Sequence, residues 1–282
     1  KDPKLLELQA KDVHGYLAIA AYNNILIDIR KFILSRKEGI KEHHIKQVQE
    51  LLSGSKEDEK ISFEKAKIIL DDFMEGVALT ISKKKDGVGD DAKYIELGWI
   101  RDNFKNVVYG LIYGATAVRI SEVLGISQAW ANIVLKTLRE QLPITFKYLD
   151  EVAKIASTEG FVILSTRTNA RRWFQKVLEA RKSKVQLHFS EKNAIEREAK
   201  NAPIQGTNSF IIKEAIVRIT NEYIRPNNID AHLIMTIHDE LVYEYKEELE
   251  ETFPKKVHEL LTDTAKRYLA DGVGMDAVAH TG

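Results

Sequence analysis

Residues 231–246 read AHLIMTIHDELVYEYK, two apolar runs around the tight, charged centre His238-Asp239-Glu240. Such a pattern predicts a β-hairpin with carboxylates at its turn. Working outward, helices are expected at 201–223 and 247–270 on either side of it. A second strand signal lies upstream, where the β-branched run Phe161-Val162-Ile163-Leu164-Ser165-Thr166 follows Gly160. An antiparallel sheet backed by helices is the architecture this implies for the C-terminal half.

The rest of the chain reads as helix. Apolar residues recur at helical spacing over 15–36 and 41–52, with a break at Gly39. Ser62 is placed to cap a helix of about 20 residues through Phe63 and Phe73. Segments 94–112, 121–140 and 144–158 are also expected to be helical, with Pro143 separating the last two. Before them, residues 83–91 form a charged, glycine-containing loop that lacks the pattern of a phosphate-cradling loop. The fold class is therefore α+β, mostly helical, with an antiparallel sheet bearing the hairpin.

Composition removes some chemistries. The 282 residues contain no cysteine, so disulfides, thiolate metal sites and cysteine nucleophiles are absent. No apolar run approaches the ~20 residues of a membrane span, no signal peptide opens the chain, and an intracellular protein is expected. The 42 Lys and Arg residues balance the 42 Asp and Glu, giving a formal net charge of +0. Between Thr166 and Lys200, however, ten Lys or Arg face four Glu, a local excess of six. Such a stretch can hold phosphates, or it can be a solvated face.

Three constellations carry possible chemistry. Arg101, Lys105, Tyr109 and Tyr113 recur every four residues and so share one slowly winding helical stripe. Two cations followed by two aromatics suit a nucleoside triphosphate, and Gly110 and Gly114 leave bare backbone for a close approach. An amphipathic surface helix with core tyrosines has the same spacing. Next, Arg197, Asn201 and Gln205 share a helix face and could read base edges, or Asn201 and Pro203 could simply begin a helix. Finally, the adjacent carboxylates Asp239 and Glu240 suit divalent cations of the kind that catalyse nucleotidyl transfer, though a solvated turn needs no such explanation.

Their order and combination resemble family A DNA polymerases. The stripe from Arg101 to Gly114 is similar to motif B of that family, Asn201-Ala202-Pro203-Ile204-Gln205-Gly206-Thr207 to the segment before the catalytic hairpin, and His238-Asp239-Glu240 to motif C. Gly272-Val273-Gly274-Met275-Asp276-Ala277-Val278-Ala279-His280 resembles the family's C-terminus, with Met275 where tryptophan is usual. Leu5-Leu6 and Lys11-Asp12-Val13-His14 resemble the stretch after motif A. The resemblance covers roughly residues 1–21 and 93–282.

It implies specific roles. His14, Arg101 and Lys105 would bind the triphosphate of an incoming dNTP, with Lys105 also neutralising or protonating the departing pyrophosphate. Tyr109 would pack on the deoxyribose and Tyr113 would sit near the templating base. Arg197, Asn201, Gln205 and His238 would contact primer-template DNA. So would Arg167, Arg171 and Arg172, in a run from Thr166 to Trp173 that resembles a template-contacting segment with Ala170 in place of its usual glycine. Asp239 and Glu240 would be ligands for two Mg²⁺ ions. By the same resemblance, residues 1–21 follow motif A and enter the fingers, 22–92 are a helical insertion, 93–158 are fingers with motif B, and 159–282 are palm.

One part of the family pattern has no counterpart. The Asp-Tyr-Ser-type strand of motif A, with the other metal-binding aspartate, is not in this sequence. The resemblance thus implies an incomplete active site, completed by a second polypeptide carrying motif A, thumb and any exonuclease domain, as in a split, cleaved or phage-type enzyme. Two rivals remain open: a single-subunit RNA polymerase-like enzyme, and an inactive polymerase-derived DNA-binding module. Gln205-Gly206-Thr207 and Glu240 favour DNA synthesis, and retention of Arg101, Lys105, Tyr109, Asp239 and Glu240 together argues against decay.

Overall fold

Helix α1 (Val13–Ser35) forms because Leu17, Ala18, Ala21, Tyr22, Ile25, Leu26, Ile29 and Ile33 recur mostly at steps of three and four and are all buried. Asp12 begins it, its side chain accepting a hydrogen bond from the Gly15 N–H at 3.2 Å. The computed structural model describes residues 12–37, 39–54, 56–80, 97–269 and 277–278. The expected loop at 83–91, the stretch 4–11 and most of the C-terminal match at 272–280 lie outside the described residues. The chain divides into two compact units, Lys1–Leu149 and Asp150–Gly282.

In the first unit α1 is the central element. Helices α2 (Glu42–Leu52) and α3 (Phe63–Met74) pair with each other, burying Ile45, Val48, Leu51 and Leu52 with Ala66, Ile69, Leu70 and Phe73. Ser62 caps α3 as expected, accepting from the Lys65 N–H at 3.1 Å. The helix is 12 residues long, shorter than the expected 20 or so. Gly76, at φ +99°, ends it: the Gly76 and Val77 N–H groups close onto the carbonyls of Phe73 and Asp72.

Helices α4 (Gly98–Ile112), α5 (Ala117–Leu124) and α6 (Gln128–Gln141) complete the unit, with α1 packed on α4 and α6. The single helix expected over 121–140 is two, because Gly125 takes φ +66° and Ser127 caps a new start. Polar ties fix α1 among its neighbours. Tyr16 donates to Gln141 and Asn24 to Thr137, both at 2.9 Å, while the Asn23 amide both donates to and accepts from the main chain of Leu79. Each fully buried Leu or Ile adds about 1.5–3 kcal/mol, so packing outweighs these ties.

Helix α7 (Pro143–Glu159) leads into the second unit, where Gly160 at φ +80° turns the chain into β1 (Phe161–Ser165). Strand β2 (Ala170–Trp173) pairs antiparallel with it, Phe161 opposite Trp173 and Ile163 opposite Arg171. Helix α8 (Gln175–Ser183) follows, then α9 (Phe189–Arg218), which begins 12 residues before the expected start at 201 and ends in a π-helical turn, Ile219–Ile224. Pro203 is thus inside a helix and not at its start. The two halves of α9 serve two cores. Ile195, Ala199 and Ala202 pack with Val152, Ala156, Val162, Phe174 and Val177; Ile211, Ile212, Ala215 and Ile219 pack with Leu260, Leu261 and Ala265.

The expected hairpin is present as β3 (Ala231–Ile237) and β4 (Glu240–Tyr245), paired antiparallel. Leu241 and Tyr243 face the second core, and Tyr243 and Tyr245 lie against Phe253 at the start of α10 (Phe253–Lys266). A short 3₁₀ turn, Glu247–Leu249, occupies the beginning of the helix expected over 247–270. The architecture is mostly helical with small antiparallel sheets, and the described strands form two separate two-stranded sheets instead of one.

Candidate nucleotide and nucleic-acid sites

Helix α4 sorts its side chains sharply. Ile100, Phe104, Val107 and Leu111 are buried on one face, while Lys105, Tyr109 and Tyr113 are exposed and Arg101 is half-buried. The tyrosines are 47% and 46% exposed, which removes the core-tyrosine reading of the stripe. Tyr113 caps the helix, and Gly114 follows it at φ +78°. The N–H groups of Gly114 and Ala115 close onto the carbonyls of Leu111 and Gly110, so a left-handed cap is the local reason for Gly114. At Gly110 an added Cβ would approach that of Ala115 to 3.3 Å.

The start of α1 meets this stripe. His14 and Tyr109 have ring centroids 6.0 Å apart. Burial, and then the charge of Arg101 and Lys105, hold the His14 imidazole below its ordinary pKa, with Asp12 opposing. Its Nδ1 is shielded from solvent without a hydrogen-bond partner among the described residues. Arg101 donates its Nε–H to Asp12, at 3.0 and 3.2 Å from the two carboxylate oxygens, and an Nη1–H to Asp102 at 2.9 Å. These bonds raise its pKa further, so it is a permanent cation. Four of the expected nucleotide-binding residues, His14, Arg101, Lys105 and Tyr109, are therefore neighbours in one unit, and Tyr113 follows one turn on. Asp12 joins them through Arg101, a role that spacing does not reveal. Its one local signal is an Asp just before a helical run, the mark of a cap.

In the second unit the arginines of the β1–β2 hairpin divide. Arg172 is ion-paired with Glu198, and Arg167 reaches Glu214 at 3.4 Å. Arg171 instead lies over the Phe161 ring at 4.6 Å, and Phe161 stands 5.4 Å from Trp173, which is 56% exposed. Much of the local basic excess is neutralised by carboxylates: Lys176, Arg181, Lys192 and Lys200 each have such a partner.

Arg197 and Gln205 are exposed on α9, and Asn201 lies between them with its Oδ1 buried and without a partner among the described residues. Gly206 and Thr207 have a packing role. A Cβ at Gly206 would fall 2.7 Å from the Leu164 Cβ, and Thr207 donates to the Leu164 carbonyl. At the hairpin tip His238 adopts φ +54°, and His238, Asp239 and Glu240 are all exposed. Among the described residues no group of three or more His, Cys, Asp or Glu side chains is placed to hold a metal ion. Asp239 and Glu240 fit Mg²⁺ by donor type, being hard carboxylates, but fall short in number.

Comparison with known proteins decides the family. Residues 96–280, more than half of the chain, match the model for "DNA polymerase family A". The chain belongs to this family. Similar proteins include DNA polymerase I of Pseudomonas aeruginosa, 28% identical over 58% of this chain and 17% of that protein, and DNA polymerase I of Chloroflexus aurantiacus, 33% identical over 51% and 14%. The family A chain thus spans less than a fifth of the length of these curated relatives. A solved relative is the POL domain of Pol1 from M. smegmatis in complex with DNA primer-template and dNTP, with a TM-score of 0.52 and 26% identity over 59% of this chain and 28% of that one. No helix among the described residues of the family A chain is long and apolar enough to cross a membrane.

Proposed function

We propose that this chain carries the dNTP-binding and part of the metal-binding machinery of template-directed DNA synthesis, and that a motif A carboxylate outside these 282 residues, on the same or a second polypeptide, completes the active site. The observation that carries this reading is the stripe of half-buried Arg101 and exposed Lys105 and Tyr109, with His14 beside it. Three basic groups converge where a triphosphate needs them, followed by aromatic rings to meet a sugar and base. Unit 1 then serves as fingers and unit 2 as part of the palm. His14, Arg101 and Lys105 hold the phosphates, Lys105 offsets or protonates the departing pyrophosphate, Tyr109 supports the deoxyribose and Tyr113 borders the templating base.

On the palm side Asp239 and Glu240 would hold Mg²⁺, which when bound activates the primer 3′-hydroxyl and neutralises charge on the phosphates. Arg167, Arg171, Arg172, Arg197, Asn201, Gln205 and His238 face primer-template DNA. The remaining metal-binding carboxylate lies outside these 282 residues. Two features support that: the short donor set among the described residues, and the apolar surface of the hairpin, where Ile234, Met235, Ile237 and Val242 are 37–51% exposed. A two-stranded sheet is marginal alone and gains from a further covering element.

Primer extension tests the reading. The chain mixed with a polypeptide carrying a motif A aspartate should extend a primer with dNTPs and Mg²⁺, and Asp239→Ala should abolish extension. DNA binding with no extension under any mixture would leave a binding module instead. Preference for rNTPs would favour RNA synthesis.

A further inference from the structure

Among the described residues Asp12 does two things with one carboxylate. It accepts the Gly15 N–H and so fixes the first turn of α1, the turn that carries His14. It also accepts the Arg101 Nε–H, tying α1 to α4 across 89 residues of sequence. The backbone makes room for this. A Cβ at Gly15 would fall 2.6 Å from an Asp12 oxygen and 3.6 Å from Arg101 Cγ, so a side chain there would displace the carboxylate.

The guanidinium is held by its Nε edge and one Nη1–H. Three of its five N–H groups have no protein partner among the described residues and are available to an anion. Placing a carboxylate beside a phosphate site lowers the local positive charge, which by Coulomb's law alone opposes binding. The arrangement is favourable only if fixing the fork's orientation offsets that repulsion, as pre-organised charge-assisted bonds can do.

We propose that Asp12 is a positioning residue for the dNTP triphosphate, setting the geometry of Arg101 relative to His14. This rests on the nucleotide-binding reading above. Asn and Ser cap helices about as well as Asp, so Asp12→Asn and Asp12→Ser keep the cap and remove the ion pair.

The test is calorimetric titration of the full chain with dATP and Mg²⁺. Both variants should weaken binding about tenfold while melting near the wild-type temperature. Arg101→Lys, which loses the fork, should also weaken binding. Added to Asp12→Asn it should cost little more, because the two residues act as one unit. Wild-type chain that binds no dATP would sink the nucleotide-binding reading and this inference together. Wild-type binding with equal or tighter binding by both variants would overturn the inference alone, and so would additive losses in the double variant.

Discussion

Thr207 donates its hydroxyl to the main-chain carbonyl of Leu164 at 2.9 Å, and Gly206 beside it leaves no room for a side chain. Helix α9 therefore rests directly on β1. Gly206→Ala should destabilise the chain by about 1–3 kcal/mol through overpacking, since the added carbon meets Leu164 at its Cβ and cannot simply push aside a flexible tip. Urea unfolding checks this. An unchanged midpoint would mean that the helix shifts freely on the strand.

The split among the hairpin arginines gives predictions of opposite sign. Arg171 has no ion-pair partner among the described residues, so Arg171→Gln should weaken primer-template binding and reduce the slope of log K against log[salt] by about 0.9. Glu198→Gln frees Arg172 and should strengthen binding and steepen that slope. Fluorescence anisotropy at several salt concentrations measures both.

In the proposed reading His14 links nucleotide binding to pH. Its pKa is lowered from 6.5, chiefly by burial, so the unfolded chain binds the proton more readily than the folded one. Its contribution to stability is therefore present above pH 6.5 and lost as pH falls through the folded pKa. A bound triphosphate reverses the electrostatic balance at the ring, and binding should take up a proton on the acid side of neutrality. Calorimetry in buffers of different ionisation enthalpy reads that uptake directly, and His14→Ala should remove its share.

Arg218 donates to Glu222, Asp263 and the buried Thr264 hydroxyl, with only 8% of the residue exposed. Its hydrogen bonds, and then its charge, hold both carboxyls below their ordinary pKa. Stability from these groups is present above the unfolded carboxyl values and lost as pH falls through the folded ones. Arg218→Ala should lower stability at neutral pH by about 2 kcal/mol and flatten the acid-side loss. Circular dichroism melts between about pH 3 and 7 follow both effects.

Legibility in the sequence follows the amount of apolar pattern. Helix α1 is readable because its burial face repeats at about 3.6 residues, and the hairpin at 231–246 because two apolar runs flank a charged turn. Helix α8 is not: its nine residues bury only Val177, and charges and amides dominate the remaining faces. Strand β2 escapes because Ala170-Arg171-Arg172-Trp173 has no apolar run and is defined by pairing with β1. The early start of α9 is hidden by Pro203, a residue more common at a first turn, which here sits buried mid-helix. At the site, spacing alone places Arg101, Lys105 and Tyr109 on one stripe. The contribution of Asp12 depends on the long-range approach of α1 to α4, which no local pattern encodes.

The apolar surface of the β3–β4 hairpin has a consequence for the lifetime of the protein in a cell. Strand edges left unpaired among the described residues, beside Ile234, Met235, Ile237 and Val242, are a template for unwanted strand addition and a signal that chaperones and proteases recognise. Copies whose hairpin stays uncovered should be cleared or aggregate first. Abundance would then track how completely that surface is covered more closely than the folding stability of this chain.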